Sequence, residues 1–264
     1  MRRGTGFSRI FTALAAAAAA FVVLPLAALV IRAPWGDAAD VLAAPGAGAA
    51  LRLSLLTSTA AVVLAALLGT PLAWLLARRD FPGRGVLRTV CLLPMVLPPV
   101  VGGVALLLAF GRRGLVGPPL EGVLGVSLPF TAAGVVVAQT FVSMPFLVVT
   151  VEAGLRALDQ RYEAAAATLG AGPWTSFRRV TLPRLWPALG AGAALCWARA
   201  LGEFGATITF AGNMPGRTQT MPLAVYLELQ TRPELAVLLS LLLLVLSAAV
   251  FLLVRGVVPG GGRS

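Results

Sequence analysis

The chain has 264 residues, 58% of them hydrophobic and 12% charged, and a formal net charge of +11; ordinary soluble domains are about 25% charged. Its apolar residues fall in six long blocks from end to end, which leaves no stretch for a separate aqueous domain and marks residues 1–264 as a single transmembrane domain. There is no His, and all 21 basic residues are Arg. That removes a Lys-bearing phosphate loop, Schiff-base chemistry, and imidazole catalysis or metal binding. Cys91 and Cys196 both sit inside apolar blocks, so neither a zinc site nor a disulfide framework is suggested. No catalytic residue, metal or cofactor is expected. The arginines lie at block edges rather than on one amphipathic face, so they read as topology signals and not as a nucleic-acid footprint.

Crossing ~30 Å of hydrocarbon takes ~20 helical residues. Six spans are predicted, in chain order 10–31, 53–77, 89–110, 127–151, 185–211 and 235–254. The fold class is therefore all-α and polytopic, because helices satisfy their own backbone groups in lipid and these runs lack barrel alternation. The first span follows Arg2 and Arg3 like a signal peptide. Its 22 uncharged residues exceed the usual ~7–15 of a signal core, and no small-x-small site ends it, so it reads as a retained helix. Gly69-Thr70-Pro71 interrupts the second span and Pro145 the fourth, while Pro94, Pro98, Pro99, Gly102 and Gly103 crowd the third. Such helices kink, either to shape packing or to line a wet pathway. With the N-terminus inside, inner segments hold 14 arginines and outer segments 6. Both termini and the loop 152–184 are then cytoplasmic.

In that loop, 159–169 favours helix, Gly170 suits a left-handed stop and Pro173 suits the first position of a new helix. Leu169, Trp174 and Phe177 then project apolar surface. Two accounts are open: a soluble partner buries them, or the segment lies on the bilayer with Arg178 and Arg179 at the headgroups.

The fifth span alone carries charge, at Arg199 and Glu203. Four residues apart on a helix, they share a face and can pair. An unpaired charge at mid-span costs about 2.5–3.5 kcal/mol, so pairing or a wet cavity is required. The pair either lies near a pathway or dimer interface, or neutralises itself and fixes packing. Gly202 and Gly205 permit close helix approach.

Gly170, then nine residues, then Val180-Thr-Leu182-Pro183 resembles the cytoplasmic-loop signature of binding-protein-dependent ABC importer permeases, with Val180 in place of Ile. Ala164, followed by Ala165, stands where that signature has Glu, and Glu163 lies one residue early. The stretch from Gly202-Glu-Phe-Gly-Ala-Thr-Ile-Thr to Tyr226 is similar to the fifth helix and outer loop of the molybdate permeases in that family. So are Leu92-Leu-Pro-Met-Val-Leu-Pro-Pro-Val and Gly111-Arg-Arg-Gly-Leu-Val-Gly117. The resemblance implies a homodimer in a bacterial inner membrane with two cytoplasmic ATPase subunits and an outer molybdate-binding protein, importing the oxyanion by alternating access. Sulfate or tungstate import by the same machine is the alternative. It also implies that Glu163, Ala164, Ala165, Gly170, Val180, Leu182 and Pro183 couple to the ATPase, and that Gly202, Phe204, Gly205, Thr207 and Thr209 belong to a pathway or gate. An intramembrane enzyme would need a nucleophile and base at membrane depth, where Glu203 alone offers a carboxylate. A lone secondary carrier would import without an ATPase.

Overall fold

The computed structural model describes residues 5–39 and 45–257, and every regular element among them is helical. Arg2, Arg3 and Arg263, counted above for orientation, lie outside the described residues. Four helices are individually long and apolar enough to cross a membrane: α1 (Thr5–Ile31), α2 (Pro45–Arg78), α6 (Ala132–Ala157) and α12 (Pro233–Val257). The chain is a multi-pass helical membrane protein. The other two predicted spans are each built from two pieces.

The third span does not kink but breaks. It divides into α3 (Arg84–Val96) and α4 (Pro99–Phe110). Leu97 (φ −64°, ψ 136°) and Pro98 (φ −53°, ψ 131°) are extended, as two successive prolines favour, since each biases its predecessor away from the helical region. Pro99 then opens α4, where a missing N–H costs nothing. Pro94, by contrast, is carried inside α3. A short helix α5 (Gly117–Leu124) follows. The fourth span starts at Ala132 rather than at 127, because Leu128 precedes Pro129 and Thr131 is extended, its hydroxyl accepting the Gly134 N–H at 3.1 Å.

α6 continues to Ala157. The segment between the long helices is therefore 158–181, not 152–184. It holds α7 (Arg161–Thr168), a single turn α8 (Pro173–Ser176) and a π turn (Phe177–Thr181) that runs into α9 (Leu182–Leu201). The fifth span likewise divides, into α9 and α10 (Gly205–Ala211). The chain then passes through α11 (Met221–Thr231) into α12.

α6 is the most buried of the four long helices. Its Leu147, Val148, Val151 and Leu155 form one core with Ala65, Ala73 and Leu76 of α2 and Leu185 and Cys196 of α9. Lipid is as apolar as these side chains, so close fit rather than water exclusion must hold the helices. Glycines provide it: a Cβ on Gly69 of α2 would sit 3.1 Å from Val148, and one on Gly192 of α9 would sit 3.3 Å from Thr150. A second core joins Leu106 of α4 and Ala138 and Val142 of α6 to Ala206 and Phe210 of α10. α1 is peripheral, with no buried residue in its apolar window 10–31. It meets α12 beside a small cluster of Ala33, Leu238 and Leu241.

Candidate functional site

The two broken spans meet at their breaks. A Cβ on Gly205, the first residue of α10, would lie 2.8 Å from Pro99 Cβ, and one on Gly103 would lie 2.6 Å from Thr209 Cβ and 2.9 Å from the Ala206 carbonyl oxygen. Gly103 and Gly205 are thus where backbone replaces side chain. Gly202 is exposed, with only ordinary contact around it. Glu203 occupies the break itself and is 1% exposed. Its Oε1 accepts the Ala206 N–H at 2.8 Å, and its Oε2 lies 2.5 Å from Arg199 Nη2. The carboxylate therefore does two things: it balances the guanidinium one turn back, and it takes up an N–H at the positive end of α10. Phe204 packs on Tyr226 with ring centroids 5.0 Å apart. The Thr209 hydroxyl donates to the Gly205 carbonyl at 2.8 Å. The Thr207 hydroxyl is fully buried with no hydrogen-bond partner, as are both polar atoms of the Gln139 side chain on α6.

The loop residues form a second group. Gly170 has φ +82°, with Leu169 before it and Pro173 opening α8. Ala164 and Ala165 are exposed on α7, while Glu163 turns inward. Glu163 Oε1 accepts from Arg78 Nη2 at 3.1 Å and from the Thr181 hydroxyl at 2.9 Å. Val180 and Leu182 are half-buried in the π turn and the start of α9, and Pro183 is exposed. Leu169 is 89% exposed and Trp174 70%. Trp174 stacks on Phe177 at 5.9 Å, so the loop carries an apolar patch bordered by Arg178 and Arg179.

These two groups are not one site. α9 has 20 residues, about 30 Å at 1.5 Å per residue, and it separates the loop at one end from the break at the other. A groove of about 580 Å³ beside Leu55, Val63 and Leu67 lies on α2 and is apolar. No cluster of three or more His, Cys, Asp or Glu able to hold a metal occurs among the described residues.

Comparison with known proteins places this architecture. The profile of the binding-protein-dependent transport system inner membrane component family matches residues 69–260. The chain belongs to that family. It is a transport component, and the match takes in both the loop and the junction of broken spans. The Mycobacterium tuberculosis molybdenum transport system permease protein ModB is 51% identical over 243 residues, 91% of each chain. Its Escherichia coli K12 counterpart is 46% identical over 69% of this chain and 80% of that one. The E. coli K12 sulfate transport system permease protein CysT is 40% identical over 79% and 76%. A chain from a bacterial ABC transporter involved in alginate import superposes with a TM-score of 0.75 at 15% identity, covering 98% of both chains. A chain of the inward-facing MetNI methionine transporter gives 0.58 at 17%, covering 83% and 95%. At such identities the likeness is one of fold.

The sequence reading of this permease chain missed the groups that anchor the loop. Arg78, Arg88 and Arg156 were counted only as topology charges. Arg78 is nearly buried against Glu163. Arg156 donates to Glu152 Oε1 at 2.7 and 3.0 Å and to the Leu76 carbonyl at 3.3 Å, and Arg88 lies 3.4 Å from Glu152 Oε2. Glu152 is 2% exposed, a paired carboxylate inside α6 rather than the first residue of a loop.

Proposed function

We propose that the chain is the permease subunit of an ATP-driven molybdate importer, acting as a homodimer with two cytoplasmic ATPase subunits and an outer molybdate-binding protein. The observation that carries the substrate is the 51% identity to a molybdenum permease across 91% of both chains. The second reading, sulfate import, draws on the 40% identity to a sulfate permease. ATP hydrolysis belongs to the separate subunits, and alternating access requires helices that change their mutual packing around one path. The junction of broken spans, with its buried unpartnered Thr207, supports its assignment as a pathway or gate element; the exposed Leu169 and Trp174 support docking of the ATPase on the loop. The test is uptake into proteoliposomes containing the permease, its ATPase and its binding protein. Molybdate uptake that a tenfold excess of sulfate leaves intact is the expected result on the order of magnitude by which a single unmatched pocket discriminates; preferential sulfate uptake would establish the second reading.

The arginine asymmetry supports a cytoplasmic position for the loop and both termini. In a variant with Cys91 and Cys196 replaced by Ser, a cysteine introduced at exposed Thr175 is expected to resist an impermeant thiol reagent in intact cells. One introduced at exposed Arg217, two residues before buried Gln219, is expected to react. Labelling at Thr175 from outside would invert the orientation.

A further inference from the structure

Arg78 is the last residue of α2, and its side chain is only 7% exposed. Its ion pair is with Glu163, whose side chain is 30% exposed, and its buried Nε has no hydrogen-bond partner. The oxygen that meets Arg78 also accepts from Thr181, a buried residue at the entry to α9. One carboxylate oxygen from α7 therefore ties the end of α2 to the beginning of α9. The neighbouring residue makes a second tie, because the Arg184 guanidinium lies over the Tyr162 ring at 3.3 Å. The far side of this fastening is fixed as well. Arg156 of α6 holds the Leu76 carbonyl near the α2 terminus and Glu152, which also meets Arg88 of α3.

Two consequences follow from simple electrostatics. Lifting α7 away strands a nearly buried guanidinium without its acid, which a low-dielectric site opposes strongly. Turning Glu163 outward to a partner has the same effect. Ala164, 100° further around the helix, is exposed instead.

We propose that Arg78, Glu163 and Thr181 form a clasp that makes α7 move together with α2, so that displacement of the loop by an ATPase reaches the second span directly as well as through α9. These are positioning residues, and the proposal rests on the importer reading given above. It assigns Glu163 to a contact within the chain rather than to the ATPase surface.

The test uses the full chain, alone and in complex with its ATPase, carrying Arg78→Gln, Glu163→Gln, both together, and the exchanged pair Arg78→Glu with Glu163→Arg. In the permease alone, amide hydrogen exchange at 161–169 is expected to quicken about tenfold or more in either single variant, as when a local opening loses a charge-assisted contact. The exchanged pair is expected to recover most of that protection. In the complex, either single variant is expected to raise the ATP hydrolysed per anion imported, and the double variant to be no worse than the worse single. Unchanged exchange at 161–169 in both single variants would overturn the clasp. So would loss of ATPase recovery in Glu163→Gln with Arg78→Gln silent, which would place the carboxylate at the partner surface. If Arg78 variants do not accumulate, Thr181→Val removes one arm without stranding a charge; faster exchange at 161–169 supports the clasp and unchanged exchange rejects it. A wild-type complex that hydrolyses ATP without importing any oxyanion would defeat the importer reading, while the exchange measurement would still decide the clasp.

Discussion

Arg199→Gln is expected to be the most damaging single change at the junction of broken spans, and more damaging than Glu203→Gln. The reason is burial. Glu203 is 1% exposed and the Arg199 side chain 27%, so removing the arginine strands the more deeply buried charge. An uncompensated buried ion costs about 3–5 kcal/mol. The guanidinium left by Glu203→Gln retains some access to solvent, and the new amide oxygen can still accept the Ala206 N–H, so a loss of about 1–2 kcal/mol is expected there. The double variant Arg199→Gln with Glu203→Gln strands nothing and is expected to recover to within about 1 kcal/mol of the parent. Thermal unfolding midpoints in detergent and the yield of monodisperse protein read the order. Losses that simply add would reject direct pairing of the two charges.

Gly170→Val is expected to leave the permease inserted while sharply reducing ATPase subunits recovered per permease and, with them, uptake. A Cβ at Gly170 would meet nothing within 4 Å, so no collision with neighbouring residues is involved. The penalty arises from φ +82° alone: about 1–2 kcal/mol for an ordinary residue, and more for a β-branched one. That is enough to refold a turn which few contacts hold. Gly170→Asn is the matching control, because Asn tolerates the left-handed region, and it is expected to keep most recovery and uptake. If the loop instead lies on the bilayer, Gly170→Val should change the membrane affinity of the loop peptide and leave co-purification intact. Normal stoichiometry together with normal uptake in Gly170→Val would end the docking hypothesis.

What could be read from the sequence was what depends on near neighbours. Gly170 and Pro173 punctuate the loop through their own backbone preferences, and Arg199 and Glu203 are one turn apart. Those features need no knowledge of the rest of the fold. The break at 202–204 was hidden because the apolar run continues beyond it to Ala211. The clues were Gly202 and Gly205 and, between them, a carboxylate three residues before Ala206, placed to accept an N–H where a new helix starts. The third span shows the opposite error, a break read as a kink, although two successive prolines already favoured an extended Leu97. The clasp was out of reach. Arg78 and Glu163 are 85 positions apart, and no spacing rule joins two residues brought together only by the packing of α2, α6 and α9. The one-residue offset of Glu163 from the family signature was visible, but its meaning was not: a rotation of 100° decides whether a carboxylate faces the protein or the exterior.

The contact between α4 and α10 also constrains how the two broken spans can move. Shear motion, in which packed helices slip along one another, needs surfaces that stay compatible as their register changes. Here Gly103 and Gly205 are notches, each receiving backbone or a Cβ at a distance where a side chain cannot fit. Slipping by about one turn would bring Leu106 or Leu107 to the place of Gly103, or Ile208 or Thr209 to that of Gly205, and a side chain there collides with the opposing helix. Separation along the line between the helices meets no such obstacle. Relative motion at this junction is therefore expected to be hinge-like, a parting and reseating of two backbones about the extended Leu97-Pro98 and the 202–204 break.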